Sequence, residues 1–331
     1  MNLQVRLNLL SRLRNYLLSD HEAWLEAKER AAYQNSWFLP EFIDLQVSQL
    51  CRFMLDASVL QEVVNKYGLP DLQAAPKSIG LVMAGNIPLV GFHDMLCIFL
   101  SGHNQVIKPS SKDEVLIRCI VDFMTKEEPT VATIIRFSEQ LKGCDAYIAT
   151  GSNHSARYFE QYFGKYPNII RKNRTSIAIL DGKETMEELD LLADDIQLYF
   201  GLGCRNVTQV WVPENYDFQP LLDALKKYDY LMDQHKYKHN YDYVLTINMM
   251  NREAYMTNGS IVLSPNRSAF SGISNLNYAY YKDLEELISS LDPDTLQVIT
   301  GHGFTPFGKA QCPGFFDYAD GVDSLQFLVK L

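Results

Sequence analysis

The chain has 331 residues, 47% of them hydrophobic and 12% aromatic, enough to bury one large core or two modest ones and too apolar for a disordered, collagenous or mucin-like chain. Its 30 basic and 40 acidic residues leave a net charge of −10, which argues against a general nucleic-acid or anionic-membrane surface and leaves room only for a local basic pocket. The six cysteines, Cys51, Cys97, Cys119, Cys144, Cys204 and Cys312, contain no C-x-x-C pair, so neither a zinc knuckle nor a disulfide framework is written here, and a reducing cytoplasm is the expected setting.

Residues 1–18 carry Arg6, Arg12 and Arg14 among their leucines and read as an amphipathic helix rather than a signal peptide. Apolar positions at helical spacing continue to residue 66, ahead of Gly68-Leu69-Pro70, and predict an all-helical N-terminal layer. The most apolar stretch, 81–100, is broken by Asn86, Pro88, His93 and Asp94, so no membrane span is expected. From residue 78 short apolar runs alternate with helical patterns: strands at 79–83, 105–108 and 146–150, and helices opened by Pro88, beginning near Lys112, and at 153–163. A second series follows, with strands at 176–180 and 208–212 and helices at 184–200 and 218–227. Further strands are predicted at 260–263, 276–281 and 296–300. This βαβ rhythm predicts an α/β fold with two parallel-sheet domains. The expected organisation is 1–174 for the N-terminal helices and first sheet, 175–310 for the second sheet, and 311–331 as a tail docked on its own core or on another subunit.

Three loops place small or polar residues where a strand gives way to a helix, the position at which open α/β sheets bind ligands. In Met83-Ala84-Gly85-Asn86-Ile87-Pro88, Asn86 is either a helix cap or an amide donor. Lys108, ahead of Pro109-Ser110, ends a buried strand and points its ammonium at water or at an anion. Gly151-Ser152 open a helix as an ordinary turn or as a phosphate site. No complete G-x-G-x-x-G is present, which disfavours a standard Rossmann dehydrogenase. Cys204 lies between Gly203 and Arg205, a setting that favours thiolate, against the alternative of a buried inert cysteine. His235 and His239 are four apart, but Lys236 and Lys238 between them would repel a cation, so no metal site is expected.

Asn86, Lys108, Gly151-Ser152 and Cys204 follow one another at gaps of 22, 43 and 53 residues. In this order the chain resembles the aldehyde dehydrogenase superfamily, and more closely its acyl-CoA reductase branch, the LuxC-like fatty-acid reductases. The likeness is carried by residues 83–93 (MAGNIPLVGFH), 107–110 (IKPS), 149–159 (ATGSNHSARYF), 171–176 (RKNRTS), 200–206 (FGLGCRN) and 317–323 (DYADGVD).

The resemblance implies an aldehyde-dehydrogenase-like fold with two Rossmann-like domains. It makes Cys204 the nucleophile and Asn86 an oxyanion donor, and it gives Lys108, Ser110, Ser111, Gly151 and Ser152 to a nicotinamide cofactor. The implied activity is NAD(P)H-dependent reduction of long-chain acyl-CoA to aldehyde through a cysteine thioester. The alternative is a non-reducing acyl-carrier subunit of a fatty-acid reductase complex. Acyl-CoA is the expected substrate, an acyl-protein synthetase-like protein a candidate partner, and a homo-oligomer the expected assembly. Ser111 and Lys112 stand where NAD-preferring relatives often carry a glutamate, which favours NADPH, with NADH as the alternative. The run Arg171-Lys172-Asn173-Arg174 is expected either to meet the phosphates of CoA or to clamp acidic groups. The E-E-[IV]-F-G-P segment of hydrolytic relatives is not found between residues 264 and 291, and Ile170 falls where their catalytic glutamate is expected. Hydrolysis of the thioester is accordingly not expected.

Overall fold

The computed structural model describes residues 1–331 and divides into two compact units, one formed by Met1–Asn173 with Gly314–Leu331 and the other by Arg174–Pro313. No helix is long and apolar enough to cross a membrane.

The first unit opens with four helices, α1 (Leu3–Leu17), α2 (Glu22–Gln34), α3 (Pro40–Phe53) and α4 (Ala57–Tyr67). Their boundaries follow local chemistry. Asp56 caps α4 by accepting from the Ser58 N–H, and Gly68 ends it in the left-handed conformation at φ 57°, where a side chain would be strained. The chain then alternates β1 (Ser78–Val82), α5 (Phe92–Ser101), β2 (Asn104–Lys108), α6 (Glu114–Glu127), α7 (Val131–Ile134), β3 (Ile135–Phe137), β4 (Ala146–Thr150), α8 (Asn153–Phe163) and β5 (Asn168–Arg171). All five strands are parallel, in the order β3-β2-β1-β4-β5. Val82 pairs with both Lys108 and Ala149, so the loops after β1, β2 and β4 leave one edge of the sheet side by side.

The second unit contains β6 (Thr175–Ile179), α9 (Met186–Gln197), β7 (Val207–Pro213), α10 (Gln219–Leu225), α11 (His235–Asn251), β8 (Met256–Thr257), β9 (Val262–Pro265), β10 (Asn275–Tyr281), α12 (Leu284–Ser290) and β11 (Leu296–Gly301). Its sheet has the order β11-β6-β7-β10-β9-β8 and is parallel except for the β8–β9 pair. Every residue of β6 is buried, as expected for a strand covered on both faces. Thr185 and Glu188 close a reciprocal capping box at the start of α9.

The tail returns to the first unit and ends in α13 (Ser324–Val329), whose Leu325 and Leu328 join the same core as the N-terminal helices and β1. Its polar contacts are equally specific. Arg171 is 3% exposed and grips both oxygens of Asp94 while donating to the Ser324 Oγ at 2.7 Å. Burial works against ionisation of Asp94, but the adjacent guanidinium and the Ser324 hydroxyl hold its carboxyl below the usual range.

One expectation needs correction, and one open alternative narrows. Pro88 does not open a helix: α5 begins at Phe92 with Gly91 as its cap, because Leu89 takes a left-handed conformation at φ 54° and turns the chain once more. Asn86 is therefore not the cap of that helix. For the run 171–174, expected to meet CoA phosphates or to clamp acidic groups, the contacts are of the second kind at Arg171 and Lys172. Arg171 is spent on Asp94, Lys172 pairs with Glu160 at 2.9 Å, and Arg174 donates to the carbonyls of Pro293 and Leu296. A strand end sends successive side chains in opposite directions, so neighbours in sequence found different partners.

Candidate active site

Cys204 lies in a tight turn between α9 and β7, and the path into that turn is unusual. Tyr199 and Phe200 both adopt left-handed backbone angles, φ 56° and 58°, followed by Gly201 at 71°. Two consecutive aromatic residues in that region cost of order 1–3 kcal/mol each and persist only where packing over-determines them. Here both side chains are almost fully buried, and Phe200 packs on Tyr237 with ring centroids 5.8 Å apart.

The turn itself is held from two sides. Asn206 is completely buried. Its Oδ1 accepts from the Gly203 N–H at 2.8 Å, and its Nδ2 donates to the carbonyls of Asp195, Ile196 and Leu198 at the end of α9. From β6, Ser176 Oγ donates to the Cys204 carbonyl at 3.0 Å and accepts from the Val298 N–H of β11 at 3.1 Å. The Cys204 backbone is thus tied to one helix and two strands, and its side chain is half-buried. Sequence reasoning singled out Cys204 but missed Asn206 and Ser176; an asparagine two residues beyond a cysteine has no pattern that announces four internal hydrogen bonds.

Four of the other cysteines are poor nucleophiles for a physical reason. Burial pushes the Cys51 thiol up to about 12 and raises Cys97, Cys119 and Cys144 as well, because a thiolate loses its hydration there.

Asp195 braces the same region. It is fully buried on α9 and accepts from the backbone N–H groups of Gly308 at 2.7 Å and Ala310 at 3.1 Å. Burial raises its carboxyl to about 7, although those two donors favour the charged form.

In the first unit the loops after β1, β2 and β4 carry the remaining candidates. Asn86 is half-buried between β1 and α5. Lys108 is exposed at the end of β2, with Ser110 half-buried and Ser111 and Lys112 exposed beyond it. Gly151 is half-buried, and Ser152 caps α8 by accepting from the Ser155 N–H at 3.2 Å. A side chain at Gly151 would meet Ser155 and Phe159 at 2.9 Å, so a glycine is needed for the strand to turn into this helix. A lysine, three hydroxyls and a helix start on adjacent strand ends have the chemistry to hold the phosphates and ribose of a dinucleotide.

His235 and His239 are both exposed on the first turns of α11. One other group has metal-ligand chemistry: Asp181, Glu184 and His302 offer ligand atoms within 4.8 Å of one another. The His302 ring already bridges Asp181 at 3.1 Å and Glu188 at 3.0 Å, an arrangement of hydrogen bonds on the protein surface. Ile170 sits half-buried in β5, paired with Ala149. Of the glutamates on the following helix, Glu187 is exposed and Glu188 is engaged by Thr185 and His302.

Known proteins are similar to this chain in sequence and in fold. The long-chain acyl-protein thioester reductase of Aliivibrio fischeri is 22% identical over 250 residues, 64% of this chain and 52% of the relative. The long-chain acyl-protein thioester reductase 2 of Photobacterium leiognathi is 24% identical over 203 residues, 55% of this chain and 42% of the relative. The chain therefore spans about half the length of the curated relatives it matches. Among solved structures, aldehyde dehydrogenase 21 from Physcomitrella patens, in complex with succinate, aligns with a TM-score of 0.69 at 14% identity, covering 91% of this chain and 74% of its own. An NAD+ complex of aldehyde dehydrogenase from Bacillus cereus gives 0.64 at 13% identity, covering 91% and 72%. These likenesses establish an aldehyde-dehydrogenase-like α/β fold. The family model described as acyl-CoA reductase (LuxC) matches residues 56–228, more than half of the chain and the stretch that holds both the β1–β5 loops and the braced cysteine. The chain belongs to the acyl-CoA reductase (LuxC) family.

Proposed function

We propose that this protein reduces a long-chain acyl thioester to the aldehyde through an acyl group carried on Cys204. The observation that carries the reading is the cysteine turn, strained at Tyr199 and Phe200 and tied by Asn206 and Ser176 to α9, β6 and β11. The Cys204 sulfur attacks the thioester carbonyl; a new carbon–sulfur bond forms, the old one breaks, and the departing thiol takes up the proton that Cys204 gave away. Lys108, Ser110, Ser111, Gly151 and Ser152 would hold a nicotinamide cofactor, which when bound would supply the two electrons as hydride to the acyl carbon. Cys204 then leaves as thiolate and the aldehyde is released. Asn86 donates its side-chain N–H to the carbonyl oxygen when that oxygen carries negative charge, a role in which one lost donor costs on the order of 10²–10³ in rate. Ile170 brings no base to activate water, and Glu188 is already engaged, so the acyl-enzyme waits for reduction or for a thiol.

Acyl-CoA is the proposed donor, following the family. A second reading, an acyl group presented on a protein, is favoured by one finding: the basic residues of the 171–174 run already have partners within the chain, Arg171 in a buried pair with Asp94, Lys172 in a surface pair with Glu160, and Arg174 on the 293–296 turn. NADPH is the proposed cofactor because the exposed Ser111 and Lys112 can both serve a 2′-phosphate. A homo-oligomer is proposed for the assembly, and the cytoplasm for its setting, in keeping with six cysteines that form no disulfide.

The test incubates the protein with long-chain acyl-CoA, or with an acylated carrier protein, and locates the adduct by mass spectrometry while loss of reduced nicotinamide is followed with NADPH and NADH. We expect an acyl adduct on Cys204, none in Cys204→Ala, and cofactor consumption with aldehyde release. An adduct without cofactor consumption would identify a carrier subunit, and an adduct on another cysteine would overturn the assignment. Lys112→Ala should lower kcat/KM for NADPH more than for NADH.

A further inference from the structure

We propose that Asp113 is a positioning residue that clamps the Asn86 loop onto the Lys108 loop, so that one segment of chain sets both the cofactor contacts and the amide donor. The proposal rests on the reading of Asn86 and Lys108 given above.

Asp113 stands at the cap position of α6, where an aspartate ordinarily spends its carboxylate on the first N–H groups of its own helix. Here it makes no such bond. Its Oδ2 instead accepts from the Leu89 N–H at 2.7 Å, 24 residues away in sequence. Leu89 needs the anchor, since φ 54° is a conformation that a leucine adopts only under constraint. On the other side of Asn86, Gly85 lies so close to the same segment that a Cβ there would stand 2.5 Å from Ser110 Oγ. At the start of the loop the Met83 N–H donates to the Lys108 carbonyl at 3.0 Å. Residues 83, 85 and 89 each meet the 108–113 segment, and Asn86 lies between them in the chain.

Asp113 is 4% exposed, and its Oδ1 is buried without a partner. Burial pushes its carboxyl well above the usual range, outweighing the Leu89 N–H that opposes the shift. A neutral acid in this place accepts one hydrogen bond and brings no charge beneath the two loops. An asparagine can do the same; an alanine cannot.

The experiment measures steady-state reduction of long-chain acyl-CoA by NADPH for the full chain and for D113A, D113N, N86A and the D113A/N86A double variant, with amide hydrogen exchange at residues 84–89. D113A is expected to lose on the order of 10–10² in kcat with KM for NADPH changed less than about twofold, because β2 pairing still holds Lys108. D113N should retain most of kcat. In the N86A background the loss from D113A should largely vanish, since both act through the same donor, and the Leu89 amide should exchange faster in D113A. Wild-type kcat in folded D113A, or an equal loss in the wild-type and N86A backgrounds, would overturn the proposal. If D113A fails to fold, D113N against D113S makes the same comparison. An N86A variant of undiminished rate would sink the oxyanion reading instead; unchanged exchange at Leu89 would then dispose of the clamp separately.

Discussion

Asn206 shows how much one uncharged side chain can carry. It satisfies the Gly203 N–H and three carbonyls at the frayed end of α9, groups that a helix terminus leaves open and that burial makes expensive. Asn206→Ala removes the bonds to all four groups. We expect stability to fall by about 1–3 kcal/mol and the rate of Cys204 acylation to fall on the order of 10–10². Binding of the cofactor, whose candidate contacts are on the first unit, should be unchanged. Denaturant titration together with single-turnover acylation measures both; a loss of stability with full acylation rate would show that the turn positions itself without Asn206.

At the scale of elements, α9 does more than cover β7. Asp195 on this helix receives the backbone N–H groups of Gly308 and Ala310, and its own carbonyl accepts from Gln311 Nε2 at 3.2 Å. The helix is therefore stapled to an irregular segment that lacks a ladder of its own. Since burial raises the Asp195 carboxyl from 3.8 to about 7, the folded state keeps a proton that the unfolded chain releases between those values. Its contribution is complete below about pH 4, declines as pH rises through 7, and changes no further above that. His302, raised by its bonds to Asp181 and Glu188, acts in the same direction. The melting temperature should thus fall from pH 5 to pH 8, and Asp195→Asn should be less stable at pH 5 yet flatter across the range. An unchanged slope in the variant would assign the pH dependence to other groups.

For the whole chain, the notable fact is that the first unit is assembled from both ends of the sequence. Asp94 from α5, Arg171 from β5 and Ser324 from α13 form one buried polar trio, and Leu325 and Leu328 complete the apolar core beside it. Removing one member of a buried pair leaves its partner charged and unhydrated. Asp94→Ala should therefore cost about 3–5 kcal/mol, far more than loss of the exposed Lys172–Glu160 pair, which should cost less than about 1 kcal/mol. Thermal unfolding of Asp94→Ala beside Glu160→Ala checks the ranking; equal effects would refute it.

The sequence by itself determined the fold class, because strand and helix periods are written in windows of five to fifteen residues, and β4 and α8 lie where those windows put them. It also marked the loops of Asn86, Lys108, Gly151 and Cys204, since Gly, Pro and capping residues announce where a strand ends. Short strands with little pattern, such as β3 and β5, escaped it. What only the tertiary structure decided is which partner each polar group finds. Arg171 reads as part of a basic run, but its partners are 77 and 153 residues away; Asp113, which no local pattern singles out, serves Leu89; Asn206, equally unmarked, locks the cysteine turn. Local patterns come from steric and hydrophobic preferences that act along the chain. The partner of a buried charge or amide depends on strand order and on what burial leaves unsatisfied, and these exist only once the sheet has formed.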